Sequence, residues 1–127
     1  MPRLFSYSDF SDKSAIVKTY ADKHTPVVVC NDTAVRGKSF RVKVRIGIEA
    51  KHPNIPTHHF EYIQLWNLET LVGEIRLCQN NYGKEPLQIE VDFCLKPTLS
   101  MRLTALAYCN KHGLWRSEEQ FVKIKDE

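Results

Sequence analysis

The sequence predicts one all-β domain, an immunoglobulin-like antiparallel β-sandwich of about seven strands. Apolar and polar residues alternate with a period of two in several runs, as they do in strands with one buried face. Turn-forming residues separate these runs at short intervals, and no stretch predicts a long helix. A length of 127 residues, 43% of them apolar, is enough for one hydrophobic core and short for two domains.

The first part of the chain differs from the rest in composition. Residues 1–20 are polar with scattered aromatic side chains, and we predict an N-terminal arm that is loosely ordered or forms a short helix on the body. The predicted domain spans residues 21–127. Its first predicted strand follows Pro26, consists of three β-branched valines and Cys30, and ends at the turn residues Asn31 and Asp32.

The clearest strand signal lies at residues 40–48. Five apolar side chains alternate there with basic residues and a glycine: Phe40, Val42, Val44, Ile46 and Ile48 against Arg41, Lys43, Arg45 and Gly47. This alternation predicts a strand with one face in the core and the other in solvent.

Further strands are predicted at residues 60–68, 70–79, 87–95, 99–108 and 120–125, with a turn at residues 80–84. The segment 51–59 contains two prolines and an asparagine, which prevent regular structure. It is therefore predicted to be a loop, and it carries three histidines, His52, His58 and His59.

Charge and hydropathy exclude several classes of protein. The net charge is +3 at pH 7, without a long basic run or interleaved aromatic and basic residues, so a nucleic-acid partner is not expected. No apolar run approaches the roughly 20 residues that cross a bilayer, so no membrane span is expected. A mildly positive field does favour a small anion as ligand.

The chain has four cysteines, Cys30, Cys78, Cys94 and Cys109. A domain of this size needs no disulfides, and the first residues lack the apolar segment of a secretory signal. We therefore expect reduced thiols and a cytoplasmic protein. The first three cysteines lack metal-ligand spacing and are expected to be ordinary packed thiols.

The strongest indication of chemistry is the pair Cys109 and His112, three residues apart where a predicted strand meets a glycine turn. The pair alone is a weak signal. All other histidines lie upstream, and His24, His52 and His58 fall at strand edges or in loops that can converge at one end of a sandwich. Four imidazoles and a thiolate suit a redox metal, and five donors exceed the four usual for structural zinc.

Four blocks of sequence carry a family resemblance: residues 22–26 (DKHTP), 52–54 (HPN), 58–59 (HH) and 108–115 (YCNKHGLW). Together, in this order, and with five residues between His52 and His58, they resemble the superoxide reductases of the neelaredoxin and desulfoferrodoxin group. The resemblance extends from about residue 22 to the C-terminus. The four-cysteine iron domain of some relatives has no counterpart, which indicates the one-iron form.

The resemblance implies a fold, a site and a reaction. It implies one mononuclear non-haem iron per chain, with His24, His52, His58 and His112 as equatorial ligands and Cys109 as the axial thiolate. It implies one-electron reduction of superoxide to hydrogen peroxide, with re-reduction by a small electron carrier such as rubredoxin. Backbone amides of Lys111 and His112 should tune the thiolate. A homo-oligomer, dimer or tetramer, is expected by the same resemblance.

Two residues before His24 are predicted to take part in catalysis. Lys23 is expected to attract superoxide and to hydrogen-bond the product. Relatives mostly have glutamate before this lysine, and that carboxylate binds ferric iron. Asp22 stands in its place, one methylene shorter. Ferric iron could therefore bind either the carboxylate of Asp22 or a water or hydroxide, and both alternatives stay open.

The same residues also allow interpretations without superoxide chemistry. A cupredoxin-like electron-transfer protein is the main alternative, although it expects a methionine shortly after the second histidine, and none follows His112. A zinc-stabilised interaction domain is a third. His59 should point away from His58 on the next strand and serve a structural role. Arg41, Lys43 and Arg45 are foremost a solvated face and secondarily a docking patch for an acidic electron carrier.

Overall fold

The computed structural model describes residues 15–78, 83 and 85–126. Within these residues the chain forms one helix, α1 (Ala15–His24), and nine strands, which are β1 (Pro26–Val29), β2 (Thr33–Val35), β3 (Phe40–Ile46), β4 (Phe60–Asn67), β5 (Thr70–Arg76), β6 (Ile89–Leu95), β7 (Met101–Cys109), β8 (Gly113–Arg116) and β9 (Gln120–Lys125). Residues 1–14 of the predicted arm, Gln79 of the predicted strand 70–79 and most of the turn at 80–84 lie outside this description.

Two sheets enclose one core. The smaller sheet has the order β1-β3-β6, and the larger has the order β2-β9-β7-β4-β5, with β8 paired to β7. Apolar residues of both sheets form a single buried cluster, including Val42 and Val44 from β3 and Leu65, Leu103 and Ala105 from β4 and β7. The predicted all-β sandwich is confirmed.

The strand count differs from the prediction because two short strands, β2 and β8, were not foreseen. The β2–β9 pair is also parallel, with Thr33 opposite Lys123, whereas every other strand pair in the described residues is antiparallel. Both additions are three or four residues long, too short to show a period of two.

The helix α1 crosses residues 20 and 21, where the sequence analysis divided arm from domain. Its last turn, with Ala21 and His24 buried, packs on the end of the sandwich. That division stays a prediction. Within the described residues no helix combines the length and apolar character needed to span a membrane.

Candidate metal centre

The five predicted ligands meet at one end of the sandwich, where α1 ends, β4 begins and β7 ends. Ligand atoms of His24, His52, His58 and Cys109 all lie within 4.8 Å of one another. His112 joins them, because its Nδ1 lies 3.1 Å from Nε2 of His24 and its ring centroid lies 4.7 Å from that of His58. The structure thus brings all five side chains together, and their ligation of iron stays a prediction.

His24 is the last residue of α1 and is fully buried. Its Nδ1 lies 2.8 Å from the carbonyl oxygen of Tyr20, one turn earlier in the helix. Nδ1 must donate in that hydrogen bond, so in the neutral ring Nε2 keeps its lone pair and faces the cluster. The helix therefore fixes both the position and the tautomer of this imidazole.

His52 is held in the same way by its own loop. Its Nδ1 donates to the carbonyl oxygen of Pro53 at 2.6 Å, which leaves Nε2 with its lone pair 3.4 Å from Sγ of Cys109. Two backbone hydrogen bonds with Leu87, of 2.9 and 3.0 Å, tie the residue to the strand segment ahead of β6. His58 is set by a tight turn closed by two 3.0 Å hydrogen bonds with Ile55.

Cys109 and His112 stand in the hairpin between β7 and β8. Cys109 pairs with Phe60 on one side and with Gly113 on the other. Gly113 has φ +87°, a left-handed conformation that suits glycine and closes the turn. The amide of His112 donates to Sγ of Cys109 at 3.4 Å, as expected for a backbone group that tunes a thiolate.

The lowered pKa values of the clustered histidines favour metal binding. The pKa of His24 is lowered to about 4 and that of His52 to about 3, foremost by burial and in addition by neighbouring positive groups, against the raising effect of the hydrogen bond that each ring makes to a carbonyl oxygen. The pKa values of His58 and His112 are lowered as well, by burial first and then by neighbouring charges that include Lys111 and Lys23. All four imidazoles are therefore neutral at pH 7 in the metal-free protein, which is the form that binds metals.

Burial raises the pKa of the Cys109 thiol, against an opposing effect of the amide hydrogen bonds from His112 and Lys111 and of the Lys111 charge. Without a metal this sulfur carries its proton at neutral pH. A bound cation would displace that proton, because the thiolate is the form that ligates.

The donor set fits a metal ion. Nε2 of His58 is buried and has no hydrogen-bond partner among the described residues, a costly state that a metal would relieve. Opposite ligands on a first-row metal are about 4 to 4.6 Å apart, which agrees with the 4.8 Å limit of the cluster. His24, His52 and Cys109 are buried whereas His58 and His112 are half-buried, so solvent reaches the cluster from the side of the latter two.

The two predicted catalytic residues occupy different places. Lys23 is half-buried, and after burial its charge is among the influences that lower the pKa of all four clustered histidines. The Asp22 carboxylate instead accepts hydrogen bonds from three backbone amides in the segment 48–50. No oxygen of Asp22 belongs to the group of ligand atoms found among the described residues.

Trp115, Asn110 and His59 lie next to the clustered ligands. Trp115, buried in β8, stacks on His24 with ring centroids 4.9 Å apart and donates from Nε1 to the carbonyl oxygen of His112. Asn110 accepts a hydrogen bond from the amide of His59 and donates its own amide to the carbonyl oxygen of His59. Trp115 and Asn110 both belong to the sequence block 108–115, but nothing in the sequence assigns these contacts.

Comparisons with known proteins agree with this geometry. Residues 16–118 match the family model described as Desulfoferrodoxin. The superoxide reductase of Thermococcus kodakarensis is 34% identical over 76% of this chain and 85% of its own length. The neelaredoxin of Megalodesulfovibrio gigas is 30% identical over 77% of this chain and 85% of its own.

Solved structures extend the likeness to three dimensions. The superoxide reductase (neelaredoxin) of Ignicoccus hospitalis superposes with a TM-score of 0.73 at 26% identity, covering 96% of this chain and 95% of its own. That of Archaeoglobus fulgidus in the reduced form gives 0.63 at 30% identity, covering 80% and 90%. With the shared fold and the matched sequence both in place, this chain belongs to the desulfoferrodoxin family.

Proposed function

We propose that this protein is a superoxide reductase, which reduces superoxide by one electron to hydrogen peroxide at a single non-haem iron. The observation that carries the proposal is the convergence of four imidazoles and one thiol at one end of the sandwich. Five such donors exceed the four of a structural zinc site and leave an octahedral metal one position for a substrate. The names of the relatives point to the same reaction.

The proposed ligand atoms follow from the hydrogen bonds. Nε2 of His24 and Nε2 of His52 carry lone pairs because their Nδ1 atoms donate to carbonyl oxygens, and Nε2 of His58 is the buried, unpartnered nitrogen. Nδ1 of His112 and Sγ of Cys109 complete the set. When bound, ferrous iron would supply the electron, which a small carrier such as rubredoxin would then restore.

The remaining residues act on charge and protons. Four neutral imidazoles and one thiolate leave a ferrous site with a net positive charge, which suits an anionic substrate. Lys23, whose charge acts on all four imidazoles, attracts superoxide and donates hydrogen bonds to the oxygen atoms of the product. The His112 amide withdraws charge from the Cys109 sulfur and so moderates its donation to the metal.

The protein is further proposed to act in the cytoplasm as a homo-oligomer. The free state of all four cysteines supports a reducing compartment. Exposed apolar side chains on the surface, among them Leu68 and Leu99 at 64% and 73% exposure, are compatible with contacts between copies.

The test is metal content together with product stoichiometry. We expect one iron per chain, a visible thiolate-to-ferric charge-transfer band that bleaches on reduction, and return of that band when superoxide oxidises the reduced protein. Each superoxide consumed should yield one hydrogen peroxide and no dioxygen. Release of dioxygen would indicate dismutation instead. Bound copper with an intense blue band, or zinc without colour, would overturn the proposal.

A further inference from the structure

The carboxylate of Asp22 lies in a cup of backbone amides. Oδ1 accepts a hydrogen bond from the amide of Ile48 at 2.9 Å, and Oδ2 accepts two, from Glu49 at 2.9 Å and Ala50 at 2.7 Å. Three successive amides pointing at one carboxylate form the concave anion site known as a nest. Both oxygens thereby accept hydrogen bonds from this loop.

The loop is built to present its amides to α1. Gly47 has φ +85°, and a Cβ at this position would collide with the carbonyl oxygen of Ala50, so only glycine allows the turn. The carbonyl oxygens of the same loop are held on the other side. Arg45 donates to those of Gly47 and Ile48, and Gln88 donates to that of Ile48.

These hydrogen bonds also stabilise a negative charge that the position of Asp22 in the helix disfavours. It lies in the last turn of α1, where the helix dipole disfavours a negative charge. Three charge-assisted hydrogen bonds offset that repulsion and hold the helix end against the loop. Among the residues that the structure describes, no other hydrogen bond joins α1 to residues 47–50.

The clamp joins two segments that lead directly into the metal centre. Asp22 lies two positions before His24, with the half-buried Lys23 between them. Ala50 likewise lies two positions before His52, with Lys51 between them. The two imidazole centroids lie 4.9 Å apart. A fixed contact between residues 22 and 48–50 therefore sets the spacing between two ligands that come from distant parts of the chain.

From this geometry we propose that Asp22 is a positioning residue that clamps the end of α1 to the loop before His52, and that it is not a metal ligand. The open coordination side consequently stays accessible to small external anions in the oxidised protein as well as the reduced one. The statement about the metal rests on the proposed function, whereas the clamp is a property of the polypeptide alone.

Amide hydrogen exchange of the metal-free protein tests the clamp. In Asp22→Ala we expect exchange at the amides of residues 48–50 to accelerate at least about tenfold, since hydrogen bonds to charged acceptors are the stronger kind. Asp22→Asn, which keeps one acceptor oxygen, should show a smaller acceleration. Asp32→Ala, at an exposed aspartate in the turn after β1, is the matched control and should leave these amides unchanged.

Gly47→Ala is a second variant that reaches the same cup from the loop side, and it should accelerate the same three amides. Exchange rates at residues 48–50 that are unaffected in Asp22→Ala would overturn the clamp. This outcome is independent of iron and superoxide, so it is distinguishable from a failure of the proposed function.

Iron retention and azide binding test the second part of the proposal, that Asp22 is not a metal ligand. In Asp22→Asn the dissociation constant for iron should rise about tenfold, as it does when partners of metal ligands are changed, while Asp32→Ala leaves it unchanged. Azide should shift the ferric band of the unmodified protein, with an affinity that Asp22→Asn alters by less than about threefold. If Asp22 occupied the metal, its replacement would change the ferric band and strengthen azide binding about tenfold or more.

Discussion

Basic side chains are paired with carboxylates on the outer face of β3 and β6, whereas among the described residues those at the histidine end of the sandwich are not paired. On the outer face, Arg41 lies 3.9 Å from Asp92, and Lys43 and Arg45 lie 3.4 and 3.6 Å from Glu90. At the histidine end no ion pair joins Lys23 or Lys111 to a carboxylate within the described residues, and both charges lower the pKa of His58 and His112.

This difference shows that the position of a charge decides its effect. The basic run of β3 is conspicuous in the sequence, yet its partners across the strand pair cancel much of its field. That agrees with a solvated face and weakens its secondary interpretation as a docking patch. Two isolated lysines beside a cluster of neutral imidazoles create the stronger local potential.

The largest effect is expected from removing the buried thiol. Cys109→Ala should abolish the charge-transfer band and lower superoxide reduction by more than about a hundredfold, because even partners of metal ligands typically contribute ten- to a hundredfold. Cys94 was predicted to be a packed thiol but lies exposed on β6, as Cys78 is exposed after β5, because its side chain is on the outer face of the strand. Cys94→Ala is therefore the matched control and should retain band and rate. Retained colour in Cys109→Ala, measured by absorption at equal iron content, would contradict the assignment.

Acid should unfold the metal-free protein through its histidines. The pKa values of His24 and His52 are about 4 and 3 in the folded state, below the unperturbed value of about 6.5, so the unfolded state binds more protons in between. The free energy of unfolding should therefore fall as pH drops from about 6.5 towards 4, by on the order of 3 kcal/mol for each of these two histidines.

Chemical denaturation of the metal-free protein at a series of pH values measures this loss. The variant His59→Gln, which changes the histidine outside the cluster, should follow the same curve. A free energy of unfolding that stays constant between pH 7 and 5 would show that the clustered imidazoles are not held neutral by the fold.

Removing the isolated positive charges should slow the encounter with superoxide. Lys23→Ala and Lys111→Ala are each expected to lower the second-order rate constant by about three- to tenfold at low salt, because charges near the opening steer anions. Rapid mixing at increasing ionic strength should shrink the difference. Arg41→Ala, which removes a paired charge of the outer face, serves as control, and an equal slowing there would refute the comparison.

The smallest effect is expected on the outer face itself. Glu90→Gln removes the carboxylate shared by Lys43 and Arg45, and the free energy of unfolding should change by less than about 1 kcal/mol because these pairs are exposed. The rate with superoxide should stay the same within error. A rise in that rate would mean that the freed charges of β3 reach the site.

Most of the fold was predictable because alternation is a local property of the sequence. The limits of β3 show where this fails. Alternation extends to Ile48, yet the strand ends at Ile46 because Gly47 turns the chain with a positive φ, and Ile48 is left 56% exposed. The strand β2 depends on β9, a partner about 90 residues away, while β8 pairs with the neighbouring β7; both are too short to carry a pattern of their own.

In the candidate site, too, the residues in local motifs were predictable and the tertiary contacts were not. The cysteine, the histidines and Lys23 were found from motifs, since their spacing survives in the sequence. The amide cup that holds Asp22 was not predictable, because it depends on the backbone conformation of a loop 26 residues further along the chain. The stacking of Trp115 on His24 is likewise a tertiary contact that no local pattern records.

The distance along the chain between the clustered side chains has a consequence for biogenesis. Contacts at the site join residues separated by 57 and 88 positions, so the cluster forms only after loops of that length have closed. An unfolded chain offers a cation mainly local pairs, such as Cys109 with His112. Efficient loading thus calls for the metal ion to arrive after the sandwich has assembled, and a nascent chain exposed early to thiophilic metals would be vulnerable to binding the wrong one.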